Sequence, residues 1–193
     1  WSPFSADVRS MEVLGNTDTF AVARNFLGET EKPRLRVVIE PGVPARFYRL
    51  WRPRLKVAST RKQFVRGFIK DIRETRTEYV RQLEPSVIDK YRRFGFCYVV
   101  TMSLFRGRAE RDSGSAATPL AYYQRLERES DNLLSVSPYF ADANPQEFNF
   151  DLSYNYYSPA YLRPGPEIQV YRLMDCTQQY GPAPKGIGSG GAE

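Results

Sequence analysis

Apolar side chains recur at helical spacing in the centre of the chain. Phe64, Phe68 and Ile72 lie four residues apart, and Tyr79 and Leu83 repeat the interval further on, which is the period of an amphipathic helix. Hydroxyl residues at positions 59 and 60 can cap its start, and a proline at position 85 ends it. The pattern predicts a helix that begins at about residue 60.

A second helix is predicted to begin at Ser86 and to continue to about residue 105. It starts amphipathic and becomes apolar on every side from Phe94 to Phe105. Such a segment must be covered all round, by its own domain or by a partner. A third helix is predicted over about 118–134, because Thr118 and Pro119 supply a capping hydroxyl followed by a proline at the first helical position.

Four further segments have the composition or the alternation of strands. Residues 34–40 are β-branched at their centre and residues 46–51 follow a Pro-Gly turn, which predicts a β-hairpin over about 34–51. Residues 147–157 alternate apolar and polar side chains, and residues 167–173 resemble a returning strand, which predicts a second hairpin over about 147–173. The predicted fold class is therefore α+β, with central helices flanked by short antiparallel hairpins and with extended termini.

The length of 193 residues predicts one domain with a core of its own. Residues 1–33 are predicted to form an N-terminal arm with a brief helix from Thr19 to Leu27. Residues 34–179 are predicted to form the single α+β domain. Residues 180–193 are rich in Gly and Pro and are predicted to form a flexible tail.

Positive charge is concentrated in one half of the chain and is carried mainly by arginine. Only six of the 28 basic residues are lysines, which leaves 22 arginines. From Pro44 to Glu110 there are 17 basic and 6 acidic residues, so the net charge there is +11, whereas no Lys or Arg lies between Glu129 and Leu162. Arginine favours planar contacts with carboxylates, aromatic rings and phosphates. The arginine bias therefore indicates interfaces. The uneven charge fits a protein that sits between partners or one that folds an acidic arm over a basic body, and a globular protein with a polar gradient is the alternative.

The absence of histidine limits the chemistry that the chain can perform. Ser-His, Cys-His and His-metal arrangements are impossible within it. The sequence also has no P-loop, no G-x-G-x-x-G, no G-x-S-x-G and no carboxylate pair with recognisable spacing. We therefore expect neither an enzyme nor a metal site.

The two cysteines, Cys97 and Cys176, are too few for a disulfide framework and lack metal-ligand spacing. Cys97 lies in the apolar run and is expected to be an inert core thiol, whereas Cys176 is expected to be exposed. Whether the two pair with each other stays open.

Targeting and membrane signals are sparse. No stretch reaches about 18 uninterrupted apolar residues, so we expect a protein that is not integral to a membrane. The chain begins at Trp1 without a signal-like apolar region. This start fits removal of a targeting segment on import into an organelle, and it equally fits trimming of the chain.

Residues 46–62 interleave aromatic rings with guanidinium groups, an arrangement that can bind RNA through phosphate contacts and base stacking. The scarcity of lysine and the lack of a zinc-finger, RNP or helix-turn-helix pattern favour an arginine-rich protein interface instead.

Three motifs follow one another in the centre of the chain: FVRGFIK from Phe64 to Lys70, the Tyr-Arg-Arg-Phe step from Tyr91 to Phe94, and LFRGRA from Leu104 to Ala109. Together they resemble the central part of phycobilisome linker polypeptides. In that family an FVR helix is followed by a YRF helix that closes on LGRA. The resemblance covers the 49 residues from Arg61 to Ala109 and departs from the pattern at Arg106, where the family has Leu. The family's linker domain is all-helical, whereas this chain has predicted strands on both flanks.

The resemblance implies a non-enzymatic linker or scaffold subunit of a large organellar, phycobilisome-like assembly that binds acidic protein subunits. The implied location is the stromal face of the chloroplast thylakoid, with the mitochondrion as the alternative. Cys176 becomes the candidate thioether site for a bilin, and no other cofactor is expected. The alternative function is an accessory subunit of an organellar ribosome that contacts RNA, or of a respiratory complex. The residues expected to bind partners are arginines and aromatics: Arg66, Arg73, Arg76, Arg92, Arg93, Arg106, Arg108, Phe47, Tyr48 and Trp51.

Overall fold

The computed structural model describes residues 3–30, 35–40, 55–59, 83–111, 114, 116–143 and 157–177. They form five helices and five strands. The helices are α1 (Pro3–Gly15), α2 (Thr19–Thr30), α3 (Val87–Arg93), α4 (Ser103–Arg111) and α5 (Ala117–Arg128). The strands are β1 (Leu35–Ile39), β2 (Leu55–Ser59), β3 (Tyr98–Met102), β4 (Ser130–Val136) and β5 (Ile168–Leu173).

The five strands make one mixed sheet in the order β2-β1-β3-β5-β4. β1 pairs in parallel with β2 on one side and with β3 on the other, where Val37 faces Tyr98. β5 pairs antiparallel with β3, where Val100 faces Val170, and antiparallel with β4. β3 is therefore the strand at which the parallel half meets the antiparallel half.

The α+β class is confirmed, and helices lie between strand regions along the chain as predicted. The strand pairing differs from the prediction, because both sides of β1 are occupied by β2 and β3. Both sides of β5 are likewise occupied by β3 and β4. Neither strand is therefore free to pair within the hairpins predicted over 34–51 and 147–173; residues 46–51 and 147–156 lie outside the described residues.

The predicted helix that continued to residue 105 is wrong at its apolar end, because residues 98–102 form β3. All five residues of β3 are buried, and the β-branched Val99, Val100 and Thr101 favour a strand that is covered on both faces. α3 ends at Arg93, and Gly95, two residues further on, has a left-handed φ of 68°. The amides of Gly95 and Phe96 donate to the carbonyls of Arg92 and Tyr91 at 3.0 and 2.9 Å, the two bonds of a Schellman cap.

The helix predicted over 118–134 begins within one residue of its expected start but is shorter at its end. α5 stops at Arg128, and the chain continues as β4 from Ser130. The hydroxyl of Ser130 donates to the carbonyl of Leu126 in the last turn of α5, so it satisfies one of the acceptors that a helix end leaves open. β4 has a register shift between Asn132 and Leu134.

Residues of the predicted N-terminal arm contribute to the core. The predicted helix from Thr19 is confirmed as α2, and Ala23 and Leu27 are buried in the main apolar cluster. The start of α2 packs closely against the loop before β5, where the amide of Thr19 donates to the carbonyl of Pro164 at 3.1 Å. The division of the chain into arm, domain and tail stays a prediction.

Within the described ranges, no helix has the length and apolar character needed to cross a membrane.

Candidate functional site

An ion-pair cluster joins α3 to α5 and is called the α3–α5 cluster below. The guanidinium of Arg125 donates to both carboxylate oxygens of Asp89, at 2.6 and 2.9 Å, and to Glu129 at 2.8 Å. It also donates to the carbonyl of Pro85 at 2.9 Å. This bidentate geometry matches the planar fork of arginine to a carboxylate.

Arg92 extends the α3–α5 cluster to the end of β5. Its guanidinium donates to Glu129 at 2.6 Å, and its Nε donates to the carbonyl of Met174 at 3.1 Å. Hydrogen bonds from Arg125 and Arg92 lower the pKa of Glu129 to about 2, because they stabilise the charged carboxylate. The cluster therefore fixes two helices and the exit of a strand relative to one another.

Arg106 on α4 makes a second set of internal contacts. It forms ion pairs with Glu110 and Glu127, both at 2.7 Å, and donates to Gln169 and to the hydroxyl of Tyr171 at 2.8 and 3.0 Å. Burial acts to lower the pKa of Arg106, but the hydrogen bond to Glu110 and the charges of Tyr171, Glu110 and Glu127 together raise it above its ordinary value. Arg106 thus holds α4 and α5 against β5.

Glu40, directly after β1, is a buried carboxylate with 1% of its surface exposed. The hydroxyl of Tyr123 donates to it at 2.6 Å, and the amide of Met102 donates to it at 2.8 Å. Burial, and next the charge of Glu40, raise the pKa of Tyr123 well above its ordinary value. These bonds join the ends of β1 and β3 to α5.

Cys97 and Cys176 form a disulfide across 79 positions of the chain. The expectation of an inert thiol at Cys97 is therefore wrong. Cys176 is partly buried rather than exposed, and its sulfur is bonded to Cys97, so it has no thiol for the thioether of a bilin. A bilin has no thiol to bind at Cys176 while the disulfide is intact, and the bilin stays a prediction.

The ten residues predicted to bind partners differ in their contacts, and only four of them lie within the described residues. Arg92 and Arg106 make the internal ion pairs described above, and Arg108 is half-buried on α4. Arg93 is exposed at the end of α3, with its guanidinium 5.8 Å from the ring centre of Phe94. The other six candidates lie outside the described residues: Phe47, Tyr48, Trp51, Arg66, Arg73 and Arg76.

Two exposed features of the described surface were missed by the sequence interpretation. Lys90 lies one turn before Arg93 on α3 and is also exposed; the spacing of three residues was a signal for a shared face. On α1, Val8, Met11 and Leu14 are 43%, 74% and 60% exposed. They recur every three residues, so they form an apolar stripe on the outer face of the helix.

The described part of the chain contains no group of three or more acidic or cysteine side chains placed to hold a metal ion. Comparison of the chain with protein families, with curated proteins and with solved structures found no match.

Proposed function

We propose that this protein is a non-enzymatic structural linker subunit of a large organellar, phycobilisome-like assembly, and that it binds acidic protein surfaces through arginine and aromatic side chains. The observation that carries the proposal is the net charge of +11 between Pro44 and Glu110. A positive region of this size steers and orients acidic partners. The three linker-like motifs lie within the same region.

Within the described part of the positive region, we assign partner contact to α3. Lys90 and Arg93 are exposed on this helix, whereas Arg92 is bound to Glu129 and to the carbonyl of Met174. A cation that already forms internal ion pairs contributes less to the free energy of partner binding, because it must give up those ion pairs first. Lys90 and Arg93 are therefore the described residues that we assign to partner binding.

The α3–α5 cluster supports a passive role for α3 as a rigid platform. Asp89 and Arg92 tie the helix to α5 through Arg125 and Glu129. Contact residues on a helix that is already fixed lose little conformational entropy on binding. The exposed stripe on α1 adds a second surface suited to contact with other subunits, since contiguous apolar side chains in water commonly mark interaction sites.

The test is native purification of the tagged full chain from its source, with identification of the proteins and nucleic acids that accompany it. The double variant Lys90→Glu and Arg93→Glu reverses two charges within the positive region. We expect it to retain at least tenfold less acidic partner protein than the unaltered chain at low salt, because two attractive contacts become repulsive.

The matched control is Arg172→Glu, which reverses an exposed cation on β5 outside the positive region. We expect this variant to retain its partners. Equal retention by all three proteins would contradict the assignment of α3. Copurified RNA with a steep salt dependence would instead support the ribosomal alternative and overturn the linker proposal.

A further inference from the structure

The disulfide attaches the end of the described chain to the centre of the sheet. Cys97 precedes β3 and is buried, with 1% of its surface exposed. Cys176 lies three residues after β5 and is partly exposed. The bond therefore joins a buried residue to a partly exposed one.

Residues 174–177, called the C-terminal segment below, add little other attachment among the described residues. The amide of Met174 donates to the carbonyl of Glu129 at 2.9 Å, and the carbonyl of Met174 accepts from Arg92 at 3.1 Å. Met174 is 43% exposed, and Asp175 and Thr177 are also exposed. Asp175 has a left-handed φ of 52°, a conformation that a non-glycine residue adopts at a cost. The segment thus buries little apolar surface.

The neighbouring strands are held independently of the disulfide. β3 and β5 pair over five positions, from Tyr98 with Arg172 to Met102 with Ile168, and the amide of Leu173 donates to the carbonyl of Cys97 at 2.8 Å. The side chains of β3 are buried along its full length. None of these contacts involves the sulfur–sulfur bond.

We propose that the disulfide is a redox-controlled latch, in which reduction releases the C-terminal segment from α3 and α5 while the sheet stays folded. Regions that open locally are those with few buried apolar contacts and exposed backbone hydrogen bonds, as in the C-terminal segment. This inference does not depend on the proposed linker function.

The reductant is a dithiol, and the reaction is thiol–disulfide exchange. One thiolate of the dithiol attacks Sγ of Cys176, the partly exposed end, so a mixed disulfide forms and Cys97 leaves as a thiolate that takes up a proton. The second thiol of the reductant then displaces Cys176 from the mixed disulfide. The protein gains two electrons and two protons as two thiols, and the reductant ends as its own disulfide.

Release of the latch changes the surroundings of Arg92. In the oxidised protein its Nε donates to the carbonyl of Met174, and its guanidinium donates to Glu129. Departure of the C-terminal segment removes the first of these contacts and leaves the second. Reduction of the disulfide therefore increases the exposed surface of Arg92 and of the face of α3 that carries it.

The test uses the full-length oxidised chain in native buffer, with and without dithiothreitol as the dithiol probe. Alkylation followed by mass spectrometry reports whether Cys97 and Cys176 become thiols, and hydrogen exchange reports which amides open. We expect both cysteines to be alkylated after reduction. We expect the Met174 amide to exchange at least tenfold faster, while the amides of β3 and β5 keep their protection.

The double variant Cys97→Ser and Cys176→Ser is the matched control. We expect its C-terminal segment to exchange as in the reduced chain, with no response to dithiothreitol. If this variant does not fold, the unaltered chain alone decides the test. The latch is ruled out by reduction that needs denaturant, by an unchanged exchange rate at Met174, or by loss of protection throughout β3 and β5.

Discussion

Some polar groups in this protein are buried in the core, and the hydroxyl of Tyr123 is the clearest case. It is 3% exposed, and its hydroxyl donates to the buried carboxylate of Glu40 at 2.6 Å. A hydrogen bond to a buried carboxylate matters more than one at the surface, because the charged acceptor cannot exchange it for water. The bond therefore stabilises the junction between β1 and α5.

The substitution Tyr123→Phe tests this bond directly. We expect the free energy of unfolding to fall by about 1–3 kcal/mol, because the carboxylate of Glu40 loses a donor while the ring still fills its site. Urea denaturation followed by fluorescence measures the change. Tyr139→Phe, which removes a hydroxyl that donates to the neutral hydroxyl of Tyr161 at 3.4 Å, is the control and should cost less, about 0.5 kcal/mol. Equal losses in both variants would contradict a special role for the bond to Glu40.

Gly165 supplies a second test at the residue scale. Its φ is +109°, and a Cβ built there would overlap the side-chain oxygen of Thr19. Gly165→Ala is expected to lower the free energy of unfolding by more than about 1 kcal/mol, through backbone strain and displacement of the start of α2. Thermal denaturation measures the loss.

The matched change Gly15→Ala adds a methyl group with nothing within 4 Å, at the end of α1. It should leave stability unchanged or raise it slightly. If Gly165→Ala behaved in the same way, the close approach of the two segments in solution would be refuted.

At the scale of elements, the α3–α5 cluster joins a helix of seven residues to the rest of the fold. Such a short helix is marginal in isolation, so its position depends on tertiary contacts. Val87, Ile88 and Tyr91 bury its inner face. Asp89 and Arg92 then fix its outer side to α5 through Arg125 and Glu129.

The cluster predicts a loss of stability in acid. The pKa of Glu129 is lowered to about 2, so its contribution is complete above the unfolded value of about 4.3 and is lost as the pH falls towards 2. Because Glu129 is 31% exposed, solvent screening reduces the contribution to about 1–2 kcal/mol.

Urea denaturation at several pH values between 2 and 7 measures this dependence. Glu129→Gln should be less stable at neutral pH and should show a shallower decline in acid. The exposed Glu84→Gln is the control and should follow the unaltered chain. An identical acid profile for Glu129→Gln would show that the cluster contributes nothing.

Element boundaries were predictable where local chemistry decides them. Thr118 and Pro119 predicted the start of α5, and the β-branched centre of residues 34–40 predicted β1. The prediction of a helix at β3 fails because a short apolar run that is covered on both faces has no period that separates a strand from a buried helix. The sequence does not predict β4, because its residues form a strand by pairing with β5, which lies more than 30 positions later in the chain. The register runs from Val136 with Ile168 to Ser130 with Leu173.

The contacts of the candidate site were less predictable than the fold. The sequence identified Arg92 and Arg106 as arginines in a basic region, but it could not show that Glu129 and Glu127 reach them from later in the chain. The disulfide was equally unpredictable from the sequence, since no residue near Cys97 or Cys176 indicates a partner 79 positions away. Both belong to tertiary structure, which places residues that are distant in sequence.

At the scale of the whole molecule, the disulfide closes a loop across 79 positions. In the chain-entropy model, closing a loop of this length adds about 4–5 kcal/mol to the free energy of unfolding, because it restricts the unfolded chain. Domains are commonly stable by about 5–15 kcal/mol. A reduced chain that stays folded in water is therefore compatible with this contribution.

Reduction should lower the urea midpoint by about 2 M, because the free energy of unfolding changes by about 2 kcal/mol for each molar of urea. Denaturation curves with and without dithiothreitol measure the shift. The double variant Cys97→Ser and Cys176→Ser should match the reduced curve and ignore the reductant. Coincident curves for the oxidised and reduced chains would mean that the bond does not stabilise the domain.

The parallel pairing of β1 has a consequence for synthesis. Val37 is fully buried in the finished sheet, yet its partner Tyr98 follows 61 positions later. At about 5–20 residues per second, β1 is synthesised about 3–12 s before β3. During that interval its apolar side chains and one row of backbone donors and acceptors have no partner, so we expect chaperones that shield the nascent chain to raise the yield of native protein.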